Sequence, residues 1–168
     1  RESVGTAAYM SPEQAQGDTA AMCCATDVFQ LGAILYEIVT GEAPYTGPLS
    51  LRISQAARCA VPPLPADVPA ELKGILQRAL SPRPVDRYAQ AGEFADAVER
   101  FLDHQFAAEQ LQTAESRLTT LRAETPQTTT DRLALLANLQ GLAQTFQTNG
   151  QAWKDRKSTR LNSSHTVI

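Results

Sequence analysis

A mainly helical fold is predicted by three features of the 168-residue sequence. Aromatic residues make up only 6% of the chain while alanine, leucine and glutamine abound, a composition that favours helix over sheet. Apolar residues recur at three- and four-residue spacing in several windows. Helix start and stop signals flank those windows. With 43% hydrophobic residues the chain is rich enough for one domain with a real core.

Ser11-Pro12-Glu13-Gln14 reads as a helix start, because serine at the cap and glutamine three residues on form a capping box and proline sits where a missing N–H costs nothing. A polar loop follows over residues 17–25. Residues 27–40 carry apolar side chains at 28, 29, 31, 34, 35, 38 and 39, which covers nearly the whole circumference of a helix. Such a helix is expected to be buried on nearly every side and to form the central pillar of its domain. Asp27 is expected to cap it, with Gln30 as the box partner. Gly41 is placed to end it and Pro44 prevents its resumption.

Residues 47–69 read as loop, with one short helix over 49–57 and a stiff surface connection at Pro62-Pro63-Leu64-Pro65. Leu72, Ile75, Leu76, Ala79 and Leu80 mark an amphipathic helix stopped by Ser81-Pro82-Arg83-Pro84. Another starts near Ala89, with Phe94, Val98, Phe101 and Leu102 on its stripe. Past it, His104, Ala107, Leu111, Ala114, Leu118 and Leu121 form a coiled-coil seam weakened by its alanines and histidine. Residues 124–130, with Pro126, break the seam. A last helix carries Leu135, Leu139, Leu142 and Phe146 and is expected to end at Asn149-Gly150, giving a helical hairpin or coiled-coil extension.

Charge and cysteine content narrow the function classes. The net charge of −3 comes with scattered lysines and arginines, which argues against a nucleic-acid partner. Cys23, Cys24 and Cys59 form no CxxC pair and no even-numbered framework, so neither a zinc site nor a disulfide scaffold is expected. No signal peptide or membrane segment is visible in these residues, and a reduced, cytoplasmic location is expected. Residues 155–165 resemble the translation of a short-read sequencing adapter, so 155–168 is expected to be a disordered, adapter-derived tail.

Three separated stretches carry a family resemblance: Gly5-Thr6-Ala7-Ala8-Tyr9-Met10-Ser11-Pro12-Glu13-Gln14; Asp27 to Glu37 followed by Thr40-Gly41-Glu42-Ala43-Pro44-Tyr45; and Pro84-Val85-Asp86-Arg87-Tyr88 with Ala91-Gly92-Glu93-Phe94. In order and spacing they resemble the C-terminal lobe of a serine/threonine protein kinase of the bacterial, Hanks type, beginning in the activation segment. The resemblance covers residues 1–103, a partial kinase domain; 104–154 would be the helical extension. It departs from the family at Gln30, where a small residue is common, at the Cys23-Cys24 loop, and at Val85, where a charge is often found.

The resemblance implies roles for particular residues. Gly5, Thr6, Tyr9, Met10 and Ser11 would form the substrate-docking loop, with Thr6 bonding to the catalytic loop and Tyr9 to Ser11 lining the pocket for the residue after the phosphorylated one. Glu13 and Arg87 would form a structural ion pair, since a guanidinium can hold a carboxylate in bidentate geometry. Asp27 would anchor the catalytic loop's backbone. Ser3 lies where activating phosphorylation falls in the family, although an ordinary loop serine reads the same way.

Phosphoryl transfer also needs a glycine-rich cover, a phosphate-binding lysine, metal-binding acids and a catalytic aspartate. No GxGxxG, HRD or DFG occurs in the sequence. The parent enzyme would use ATP and Mg²⁺ on protein substrates, whereas this chain is expected to bind neither, to carry no catalytic residue and to be inactive. Its expected partners are the missing N-terminal part of the kinase domain and a second copy through residues 104–122 and 131–148. A pseudokinase or scaffold whose helical extension dimerises it is the alternative reading.

Overall fold

Ser11 starts the first helix as its side chain allows. In the computed structural model, which describes residues 6–123 and 129–163, α1 spans Pro12–Gln16. Ser11 Oγ accepts from the backbone N–H of Gln14, and Gln14 Oε1 accepts from the N–H of Ser11, so the reciprocal box is complete. Gly17 closes the helix in the left-handed region at φ 70°. A short 3₁₀ turn, Thr6–Tyr9, precedes α1.

The second helix, α2, spans Cys24–Thr40, three residues earlier at its start than the sequence suggests. Cys23 is its N-cap residue, and Cys23 donates its N–H to Thr26 Oγ1 at 3.0 Å. Asp27 is therefore not the cap: it lies exposed in the first turn. Gly41 ends the helix at φ 82° and donates its N–H to the Glu37 carbonyl.

Three further helices complete the first of two compact units, residues 1–109: α3 (Leu49–Ala57), α4 (Ala70–Ala79) and the first part of α5 (Ala91–Ala123). Helix α2 packs on α4, while α1 and the opening 3₁₀ turn pack on α3. Val28, Phe29, Ala33 and Tyr36 of α2 meet Leu72, Ile75, Leu76 and Ala79 of α4 in one cluster. Tyr45, Tyr88, Phe94 and Phe101 extend that cluster. Burying aromatic and branched side chains at roughly 1.5–3 kcal/mol each makes this the main source of stability.

The core does not surround α2. Leu31, Ile34 and Ile38, on a shared face, are 40%, 46% and 74% exposed. Total apolarity around a helix records what could be covered, and this strip of α2 has no cover within the unit. Leu102, expected on the inward stripe of α5, is likewise exposed, while Phe94 and Phe101 are buried. Helix α5 turns Phe94 and Phe101 inward and leaves the adjacent Leu102 outside.

The second unit, residues 110–168, contains the end of α5 and helix α6 (Thr129–Ser163). Leu111 and Leu118 are exposed. Helix α6 runs through Asn149-Gly150 and into the stretch expected to be a disordered tail. A single interior glycine costs only about 1 kcal/mol relative to alanine, and no proline follows Pro126 to stop the helix. Of its expected stripe, Leu139 is exposed; the side chains of Leu135, Leu142 and Phe146 lie outside the described residues, as does that of Leu121.

Candidate functional site

The segment 6–16 is tied to the rest of its unit at several points, and Arg87 makes the densest of them. Arg87 leaves the 3₁₀ turn Pro84–Asp86 with extended backbone and points its head into the interior, where the residue is only 3% exposed. Its Nη1 donates to Glu13 Oε1 at 2.7 Å and its Nη2 to Glu13 Oε2 at 2.9 Å, the planar bidentate match of guanidinium and carboxylate. Nη1 also donates to the Ala25 carbonyl, Nη2 to that of Pro82 and Nε to that of Ser81. The guanidinium carbon stands 4.8 Å from the Phe29 ring centroid. One side chain thus joins α1, the start of α2 and the loop after α4.

Burial alone would favour a neutral Glu13. Hydrogen bonds from Arg87, the backbone and Thr26, together with the Arg87 charge, outweigh that penalty and lower the carboxyl from 4.5 to about 2. The Glu13 carboxyl is ionised across the physiological range.

A second tie starts at Tyr9, in the 3₁₀ turn. Its hydroxyl donates to Glu37 Oε2 at 2.7 Å, across 28 positions. That bond, then partial burial and the Glu37 charge, raise the Tyr9 phenol above its usual 10. A third tie sits on glutamines: Gln30 Nε2 donates to Gln14 Oε1 at 3.0 Å, and Gln16 Nε2 donates to the Ala57 carbonyl at 2.7 Å. Sequence reading found Glu13 with Arg87 but not the partners of Tyr9 or Gln14. Helical register could have offered Glu37 and Gln30, which sit seven residues apart on α2, as a common face toward the loop.

The candidate residues therefore fall into three groups. Tyr9, Met10, Ser11, Glu13 and Arg87 belong to one connected region; Tyr9 and Met10 pack against the core, and Ser11 is fully buried. Asp27 stands apart, exposed on α2. Thr6 opens the 3₁₀ turn, and Ser3 and Gly5 lie outside the described residues.

Two open clefts flank the region. One of about 330 Å³ is bordered by Glu13, Gln16, Arg58, Cys59 and Arg83. The other, about 280 Å³, lies between Pro62, Pro63 and Leu64 on one side and Tyr36, Leu76 and Leu80 on the other. Cys59 is held at φ 49° and donates its thiol to the Leu80 carbonyl at 3.4 Å. Burial pushes that thiol up and away from thiolate character. Among the described residues, no three histidine, cysteine, aspartate or glutamate side chains are grouped to hold a metal ion. Nor, among these residues, is any helix long and apolar enough to cross a membrane.

Comparison with known proteins bears on what this region is. No family model matches the chain. Curated relatives do: a probable serine/threonine-protein kinase of Clostridium acetobutylicum is 40% identical over 97 residues, 55% of this chain and 14% of that protein. PknB, a serine/threonine-protein kinase of Mycolicibacterium smegmatis, is 43% identical over 94 residues, covering 54% of this chain and 15% of its own. PknA of Mycobacterium tuberculosis is 40% identical over 96 residues, or 56% and 22%. The chain thus spans 14–22% of the length of these relatives. Over a little more than half of its own length it is a partial homologue of bacterial Hanks-type serine/threonine protein kinases, with the sequence pattern of their C-terminal lobe.

Proposed function

We propose that residues 1–103 derive from the C-terminal lobe of a serine/threonine protein kinase, whose complete form transfers the γ-phosphate of ATP to serine or threonine hydroxyls of proteins, and that the 168-residue chain by itself is inactive. The observation that carries this reading is the buried Glu13–Arg87 pair, which fastens the segment resembling the docking loop to a residue 74 positions away. In the proposed role, Gly5, Thr6, Tyr9, Met10 and Ser11 receive the substrate chain, the ion pair holds their position, and Asp27, exposed at the head of α2, faces the catalytic loop. Ser3 is the proposed regulatory phosphosite.

The uncovered face of α2 supports the same reading. Leu31, Ile34 and Ile38 form a connected apolar strip of the kind that marks a missing partner. The partner proposed for it is the remainder of the kinase lobe. ATP and Mg²⁺ belong to that remainder, and the enzyme is placed in the cytoplasm.

The test is expression of the longer reading frame from the same genome beside the 168-residue chain, with transfer of labelled γ-phosphate to a serine/threonine peptide as the readout. Activity in the long form and none in the short one is the expected result. A longer frame that holds HRD and DFG yet transfers nothing would overturn the enzyme reading. Exposed Leu111 and Leu118, seven residues apart on α5, favour a second reading in which the extension pairs two copies of a pseudokinase or scaffold. Sedimentation of the 168-residue chain as a dimer, lost in Leu111→Glu, would support it.

A further inference from the structure

We infer that Gln30 is a positioning residue for the loop of residues 6–11, acting through the side-chain amide of Gln14. The description of that loop as substrate-docking rests on the kinase reading; the contact does not. Gln30 sits half-buried on α2 beside fully buried Phe29, and its Nε2 donates to Gln14 Oε1 at 3.0 Å. The same oxygen accepts from the backbone N–H of Ser11 at 3.1 Å and lies 3.1 Å from Ser11 Oγ. A single amide oxygen therefore gathers one donor from α2 and the donors of Ser11, the residue that follows Tyr9 and Met10 and ends the loop.

The arrangement matters because α1 has only five residues. So short a helix has no stability of its own, and its place depends on ties to neighbours. Glu13 is tied to Arg87 and Gln16 to the Ala57 carbonyl, but neither bond touches the cap. Gln30 supplies the tie at the Ser11 end. With Gln30 holding it, the Gln14 amide keeps its oxygen on Ser11; without it, the long side chain is fixed only by the box it is meant to close. Both partners are neutral, so this tie does not weaken with salt or in mild acid, unlike an ion pair.

Hydrogen exchange of the 168-residue chain, read by mass spectrometry, tests the assignment. Gln30→Ala should raise exchange at Ser11, Gln14 and Ala15 about five- to tenfold, the scale of one lost hydrogen bond, while amides 28–39 of α2 keep their protection. Gln30→Glu is isosteric and faces an acceptor with an acceptor, so it should have the same effect even if the alanine variant proves too unstable to read. Gln30→Lys combined with Gln14→Glu restores donor to acceptor and should bring protection back to the wild-type level or above. Unchanged exchange in Gln30→Glu, or equal exchange in Gln30→Glu and the Lys/Glu double variant, would overturn the inference, since a packing role is indifferent to donor polarity. Either outcome leaves the kinase reading where the phosphoryl-transfer assay puts it, because exchange at Ser11 does not depend on catalysis.

Discussion

Gly32 of α2 lies close against Ala79 of α4: a Cβ built on Gly32 would stand 2.9 Å from the Ala79 Cβ and 3.4 Å from Leu80 Cδ2. The helices cross with backbone nearly against side chain, which only glycine permits at this point.

Gly32→Ala should therefore destabilise the first unit. Overpacking costs about 1–3 kcal/mol, against which the helix propensity of alanine returns up to about 1 kcal/mol. Gly74→Ala, on the same α4 but with open space around the added carbon, should stabilise by about 0.5–1 kcal/mol. Urea unfolding followed by circular dichroism checks both. Opposite movements of the midpoint are expected; movement in the same direction would contradict the close crossing.

Arg87→Ala strands the buried Glu13 carboxylate and should cost about 3–5 kcal/mol. Loss of amide protection over residues 11–16 should exceed that over α4. The conservative Arg87→Lys should recover little, because an ammonium cannot make the planar two-pronged contact with Glu13.

Acid stability follows from the same carboxyl. Because the folded state lowers it from 4.5 to about 2, its contribution, about 3 kcal/mol, is fully present above the unfolded value and fades as pH falls through 4.5 toward 2. Stability measured between pH 5 and pH 2 should fall more steeply in the wild type than in Glu13→Gln. Parallel curves would show that Glu13 is not the titrating group.

Tyr9→Phe removes the hydroxyl that donates to Glu37 and should cost about 1 kcal/mol. In spectrophotometric titration, the wild type minus Tyr9→Phe difference should report a phenol that ionises above the ordinary 10. A difference curve at or below that value would remove the Tyr9–Glu37 contact.

Replacing Leu31, Ile34 and Ile38 together by glutamine should raise the concentration at which the chain aggregates and reduce dye binding to exposed apolar surface, with little change in unfolding midpoint. A loss of several degrees would instead mean that the strip is covered in solution.

What the sequence made legible was local. Ser11 and Gln14 are three residues apart, and Gly41 must adopt its backbone angle wherever the helix packs, so cap and terminator could be read directly. Glu13 and Arg87 were legible through the family resemblance, as two charges whose geometry suits each other. Gln30 reaching Gln14 was not, because nothing in the spacing of neutral amides shows which pair will meet. The uncovered face of α2 was misread because apolarity fixes what a helix tolerates against it, not which of its faces the fold covers: Ile38 is apolar and 74% exposed. As a helix cap, Asp27 was misread because any acid near a helix start fits one, and the helix extends back to Cys24 through Thr26.

The Arg87 head commits every nitrogen it has, Nε, Nη1 and Nη2, to Glu13 and to the carbonyls of Ala25, Ser81 and Pro82. Dicarbonyl reagents that label arginine must reach the guanidine from solvent, so they should derivatise Arg58 and Arg83, whose bonds lie at the exposed surface, while sparing buried Arg87 until the fold opens. Adduct formation at this one position would then serve as a clock for the opening of the first unit.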